Sequence, residues 1–235
     1  MERDSVVILI PASGDVDPDV LVSIVSMATN AERSGLKVER TAIAKRMLIH
    51  EARNNLTDFF LNQTCAEWAF WVDTDMVLES HTICHMIKRA KEIDGKFLTG
   101  VYYQRGGNHN PVLTMRLEST KYKDEYTSSF VNPQKGAVNP FKVDGSGFGC
   151  MLTHRDVFKD MKQPYFKFEI FDNGVEFSED FYFCKRAKEL GVQLWAIPDL
   201  KTVHLGCKEY ITRDSFKPEK EMEIDLKTKT IKEEK

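Results

Sequence analysis

Short apolar runs alternate with amphipathic segments through the first hundred residues. Ser5 to Ile10 is Ser-Val-Val-Ile-Leu-Ile, a β-branched run stopped by Pro11. It predicts a central parallel strand, with Pro11 to Gly14 as the loop at its carboxyl end. Asp17-Pro18 supplies a cap and a first-turn proline for a helix to about Ser34, where Gly35 ends it. Leu36 to Ile43 alternates and predicts a second strand. From about Lys45 to Asn62, Leu48, Ala52, Leu56, Phe59 and Phe60 recur at helical spacing. Trp68 to Val72 (Trp-Ala-Phe-Trp-Val) carries no charge and reads as a fully buried strand. Ser80 can cap a further helix to Ile93, and Lys96 to Tyr103 is a fourth strand. This alternation predicts an α/β fold, a mostly parallel mixed sheet with helices on both faces.

After Tyr103 the pattern changes. Arg105 to Pro111 is a Gly- and Asn-rich loop, followed by short strands near Val112 to Leu117 and Phe141 to Val143. The polar stretch from Glu118 to Pro140 reads as a lid or an acceptor-binding insertion. Gly145-Ser146-Gly147-Phe148-Gly149 forms a Gly-rich turn before an apolar strand, Cys150 to Thr153, and a short helix from His154 to Met161. Phe166, Phe168, Ile170 and Phe171 are expected at a pocket or a sheet edge. Ser178-Glu179-Asp180 opens the last well-patterned helix, to Leu190. Val192 to Ile197 and Lys201 to Leu205 are further strands, the second carrying His204. These boundaries divide the chain into one domain over 1–212, with halves at 1–103 and 104–212. A mixed-charge tail over 213–235 reads as disordered, as one peripheral helix, or as a linker to further domains.

The buried run at Trp68 to Val72 ends in Asp73-Thr74-Asp75, at the edge of an open sheet where ligands usually bind. On an extended backbone, residues two apart face the same way. Two carboxylates so placed repel unless they share a proton or a cation lies between them. A hard divalent ion, Mg²⁺ or Mn²⁺, suits such oxygen ligands and keeps coordination positions for substrate phosphates. A solvated turn carrying two exposed acids accounts for the same residues without chemistry.

Charge and composition narrow the classes. The 235 residues carry a net charge of −3, so no basic excess points to nucleic acid. No apolar run reaches the ~18 residues that span a bilayer, and the first residues are charged rather than signal-like. The five cysteines are scattered without a C-x-x-C pair, which argues against structural zinc and a disulfide framework and fits a reducing, cytoplasmic setting.

Several short pieces now stand in order: the strand ending at Pro11, Ala52-Arg53-Asn54, Asp73-Thr74-Asp75-Met76, the turn from Gly145 to Gly149, Glu179-Asp180, and His204. In this order the sequence resembles nucleotide-sugar glycosyltransferases of the GT-A (Rossmann-like) fold, most of all glycosyltransferase family 2, over roughly Val6 to Gly206. The resemblance implies transfer of a sugar from a UDP- or GDP-linked donor to a saccharide or other hydroxyl acceptor. It implies Mn²⁺ or Mg²⁺ held by Asp75 with Asp73 and His204. Asp180 is the expected base of an inverting reaction, with Glu179 beside it. Pro11, Ala12 and Ser13 would lie against the nucleoside, and Arg53, Asp73, Thr74, Asp75 and Gly147 would meet the rest of the donor. Each carries a plain structural alternative. His204 can be an ordinary edge-strand histidine, Glu179 and Asp180 can serve the helix start under a Ser178 cap, and Arg53 can make a surface salt bridge. One departure concerns the base: the acid that many relatives carry at the end of the second strand is missing, with only Glu39 nearby.

Three other functions fit parts of the chain. Val72 to Leu78 also resembles the haloacid-dehalogenase phosphatase signature, with Asp73 as nucleophile and Thr99 as a second element. A complete strand–helix–strand–helix unit precedes it, however, where that family usually begins. A nucleotidyltransferase would open with a basic phosphate loop, and Pro11 to Asp15 has no lysine or arginine. A non-catalytic nucleotide-sugar-binding module is the remaining alternative.

Overall fold

Two apolar cores on opposite faces of one sheet organise the chain. The computed structural model describes residues 3–12, 14–118, 126–170, 176–206, 210–215, 222–225 and 230–233. The first half runs β1 (Ser5–Ala12), α1 (Pro18–Arg33), β2 (Lys37–Lys45), α2 (Ile49–Gln63), β3 (Trp68–Val72), β4 (Met76–Leu78), α3 (Thr82–Glu92) and β5 (Phe97–Gly100). The second half runs β6 (Thr114–Glu118), β7 (Tyr126–Phe130), β8 (Phe141–Val143), β9 (Cys150–His154), β10 (Glu169–Ile170), β11 (Glu176–Phe177), α4 (Glu179–Glu189), β12 (Leu194–Ile197), β13 (Thr202–Leu205) and β14 (Tyr210–Ile211). The strands β15 (Met222–Asp225) and β16 (Thr230–Glu233) follow.

Seven strands form the main sheet in the order β2-β1-β3-β9-β5-β12-β8. Strands β1, β2, β3, β5 and β12 run one way; β9 and β8 run the other. This is the mostly parallel mixed sheet expected of a GT-A fold. Alternate side chains of each strand feed opposite cores. Val7, Leu9, Ala69, Trp71 and Met151 pack with Leu56 and Phe60 of α2 and Phe183 of α4. Val6, Ile8, Ile10, Phe70 and Leu152 pack with Ile24 and Met27 of α1 and Met86 of α3. Helices therefore cover both faces, as the alternation predicts.

Several boundaries move. Pro11 and Ala12 continue β1, pairing with Ala44 and Lys45 of β2. Strand β3 pairs only with Val6 to Leu9, so Pro11 is flanked by a single strand and its missing N–H interrupts no central ladder. Arg46 takes a positive φ of 58° after β2, which delays α2 to Ile49. Ser80 caps nothing: a turn closed by Thr82 N–H to the Glu79 carbonyl (3.0 Å) precedes α3. The short helix is one 3₁₀ turn, Arg155–Phe158. Arg155 reaches back to the carbonyls of Phe60, Leu61, Thr64 and Ala66 and satisfies the open carboxyl end of α2. In the tail, expected as disorder, one helix or a linker, β15 pairs antiparallel with β16.

Trp68 and Trp71 are core. Trp71 is buried and its indole N–H donates to the Thr153 hydroxyl at 3.0 Å. Phe166 is wholly buried, Phe168 and Ile170 are exposed, and Phe171 lies outside the described residues. Burial pushes the thiols of Cys150 and Cys184 up to about 12, as inert core cysteines require. Among the described residues no helix is long and apolar enough to cross a membrane.

Candidate active site

Where β3 stops, the chain turns. The Met76 N–H donates to the Asp73 carbonyl at 3.2 Å, closing a tight turn over Thr74 and Asp75. This replaces the extended backbone expected between the two acids, and each finds its own cation. Asp73 Oδ1 lies 3.1 Å from Nη2 of Arg53. Asp75 Oδ2 lies 2.9 Å from Nη1 of Arg105, and its Oδ1 lies 3.5 Å from Nε2 of His204. The turn is anchored on both sides. The Thr74 carbonyl accepts from the Asp17 N–H at the start of α1 (3.4 Å), and the Asp75 carbonyl accepts from the Leu205 N–H on β13 (2.8 Å).

Arg53 is a buried hub. Its side chain is 2% exposed, so the surface salt bridge is excluded. Besides Asp73 it binds Glu179 Oε1 (3.1 Å) and Asp180 Oδ1. Its guanidinium carbon lies 5.2 Å from the centre of the Phe148 ring and 5.8 Å from that of Phe166. The neighbouring Asn54 fixes this floor. Its side-chain oxygen accepts the N–H groups of Tyr165 (2.8 Å) and Phe166 (3.0 Å), and its amide donates to the Phe166 carbonyl (2.8 Å). Three acids from two distant segments are thus drawn to one guanidinium. Glu179 is buried against it, and Asp180 sits at the cleft wall. Ser178 holds the N-cap position of α4 without a capping bond from its hydroxyl, and Glu179 and Asp180 lie in the first turn, where the helix dipole favours acids.

The cleft measures about 290 Å³ and is lined by Asp73, Asp75, Asp180, His204, Gly147 and Arg105, with Tyr102, Gln104, Val112 and Phe181. The glycines leave room for neighbouring side chains and none for one of their own. A Cβ on Gly147 would stand 2.2 Å from the Tyr102 hydroxyl and 3.4 Å from Asp180 Oδ2. A Cβ on Gly145 would stand 2.6 Å from the Phe181 ring. The Tyr102 hydroxyl accepts the Gly149 N–H at 3.0 Å. Burial, with the nearby Asp73 charge, raises its pKa strongly, so it stays a neutral phenol.

Asp75 and His204 have the chemistry of a cation site. His204 Nδ1 lies 2.7 Å from the Tyr103 carbonyl, which can only accept; Nδ1 therefore carries the proton. Nε2 is the ring atom turned toward Asp75, and with a divalent ion between them it would offer that ion its lone pair. Burial would raise the Asp75 pKa, but the hydrogen bond and charge of His204 and the charge of Arg105 outweigh it, and the carboxyl lies below its ordinary value. An ionised carboxylate and an imidazole lone pair fit a divalent ion that also takes phosphate oxygens. Among the described residues no group of three or more His, Cys, Asp or Glu is gathered to hold an ion by itself. Asp73, the expected third ligand, has one oxygen on Arg53.

The remaining expected residues are scattered. Pro11 and Ala12 are buried at the end of β1, and Ser13 lies outside the described residues. Glu39 sits early in β2 and accepts the Cys65 N–H at 2.9 Å, so it is no base-reading acid at the strand end. Thr99, which a phosphatase needs in the cleft, is buried and shares its hydroxyl with Ser146 at 2.9 Å. Arg105, Tyr102, Gln104 and Phe181 line the cleft without having been singled out in the sequence. The signal for Arg105 was a lone cation beside Gly106-Gly107, just past a strand end.

No family model matches the sequence, and no curated protein matches it. Among solved structures, A197 from STIV superposes with a TM-score of 0.58 at 17% identity, over 91% of this chain and 92% of that one. GalNAc-T7 with UDP, GalNAc and Mn²⁺ aligns with a TM-score of 0.48 at 10% identity, over 86% of this chain and 43% of that one. At such identities the likeness to A197 carries the fold alone.

Proposed function

We propose that this chain is a divalent-metal-dependent glycosyltransferase, similar to family 2, that moves a sugar from a UDP- or GDP-linked donor to an acceptor hydroxyl with inversion. The observation that carries the reading is the convergence of Asp75, His204, Asp73 and Asp180 on one cleft at the carboxyl edge of the sheet. Asp75 and His204 would hold the ion, which as a Lewis acid offsets the charge that grows on the departing diphosphate. Asp180 Oδ2 faces Gly147 and takes the proton of the acceptor oxygen as that oxygen bonds to the anomeric carbon. Arg53 holds the other oxygen of Asp180, so the base is fixed before substrate arrives. Glu179 is buried on the same guanidinium and serves as a positioning residue.

The test is calorimetry and thermal shift with UDP and GDP, with and without Mn²⁺, followed by donor turnover. A nucleotide that binds the folded chain and not the unfolded one should raise the melting temperature. Asp75→Ala is expected to lose the Mn²⁺-dependent part of that rise. Asp180→Asn is expected to keep nucleotide binding and lose transfer. Transfer at the parent rate by Asp180→Asn would refute the base, and no nucleotide binding by the parent would refute the reading.

A further inference from the structure

Among the described residues the lining of the cleft contains one guanidinium, and it is not the one that the sequence pointed to. Arg53 is committed to three carboxylates and stands behind the cleft wall. Arg105 lines the cleft itself, with a side chain 57% exposed and an ion pair to Asp75 Oδ2.

The loop that carries Arg105 is firm at its base and open at its tip. At the base, the Gln104 N–H donates to the Asn110 carbonyl (2.9 Å), the Val112 N–H donates to the Tyr102 carbonyl (3.0 Å), and Tyr103 is bridged to Pro111. At the tip, a Cβ on Gly106 or Gly107 would meet nothing within 4 Å, and Gly107 takes a φ of +63°. Arg105 is thus tethered at the cleft mouth with room for its side chain to swing.

An ion shared by His204 Nε2 and Asp75 would draw on the same carboxylate that Arg105 pairs with at 2.9 Å, and two cations on one carboxylate repel, so each weakens the other's hold. A displaced Arg105 would face a diphosphate, whose oxygens match its planar fork of donors far better than a point charge does. We propose that Arg105 competes with the divalent cation for Asp75 and, once displaced, binds the donor's diphosphate. It is therefore a donor-binding residue that also tunes metal affinity. This rests on the function proposed above.

The experiment compares the parent with Arg105→Gln and Arg105→Lys. Mn²⁺ binding alone is read from the loss of the free-ion electron paramagnetic resonance signal. UDP and GDP binding at saturating Mn²⁺ is read by calorimetry. Arg105→Gln should bind Mn²⁺ several-fold more tightly and the nucleotide roughly tenfold more weakly, the size of one charge-assisted hydrogen bond. Arg105→Lys keeps the charge and loses the fork, so its Mn²⁺ affinity should stay near the parent's while nucleotide affinity falls. A parent that binds ion and nucleotide, with an Arg105→Gln variant that matches it in both or loses both together, overturns this inference alone. A parent that binds neither overturns the proposed function as well.

Discussion

Two arginines flank the same cleft and do opposite jobs. Arg53 is 2% exposed, rises from the second turn of α2 and meets Asp73, Glu179 and Asp180 over two phenylalanine rings. Arg105 is 57% exposed, stands on a glycine loop and meets Asp75. Burial decides the difference. A desolvated guanidinium has no water to return to, so its partners are obligatory. An exposed one exchanges partners at little cost. The site therefore combines a fixed frame for Asp73 and Asp180 with an adaptable partner for Asp75. A third cluster lies between these extremes. Arg89, 22% exposed, meets Asp199 Oδ2 at 2.5 Å, and His85 Nε2 lies 3.0 Å from the other Asp199 oxygen. It ties α3 to the turn between β12 and β13, just ahead of His204.

Removing charges along this series should break the protein in order of burial. Arg53→Met leaves Glu179 buried without a counter-charge and should cost on the order of 3–5 kcal/mol in urea unfolding. A loss under about 1 kcal/mol would mean that the hub is not structural. Between the two arginines, Gly147→Ala drives a Cβ into the Tyr102 hydroxyl and should cost about 1–3 kcal/mol. Adding Tyr102→Phe should recover part of that loss, a coupling that a double-mutant cycle measures. Arg89→Gln should cost about 1–3 kcal/mol, the range for hydrogen bonds to charged groups. At the exposed end, Arg105→Gln should change unfolding stability by less than about 1 kcal/mol.

The middle cluster also gives the series a pH axis. Burial alone would raise the Asp199 pKa, but hydrogen bonds from Arg89 and His85 outweigh it and hold the carboxyl below its ordinary value. A carboxyl whose folded pKa is depressed adds stability above its unfolded pKa of about 3.9, and loses it as pH falls through the folded value. Asp199→Asn should therefore be less stable than the parent at pH 7, with the deficit shrinking below about pH 4. A deficit that stays constant between pH 7 and pH 3 would show that packing, not charge, is at work there.

The apolar pattern alone determined the sheet, its helices and the strand that delivers Asp73 and Asp75, because period-two and period-3.6 burial are local properties of a sequence. Asp180 and His204 became candidates through the resemblance that short pieces in a fixed order carry, not through the apolar pattern. Only the tertiary structure decided what those residues touch. Arg53 reads as a surface or phosphate-facing residue from its helix, but two aromatic rings and three acids from distant segments close around it. Arg105 has no periodic context at all, and its meaning comes from a turn at Asp75 some thirty residues earlier. Partner choice among charges depends on which groups burial leaves without water, and that is settled when the two cores and the loops close, not along the chain.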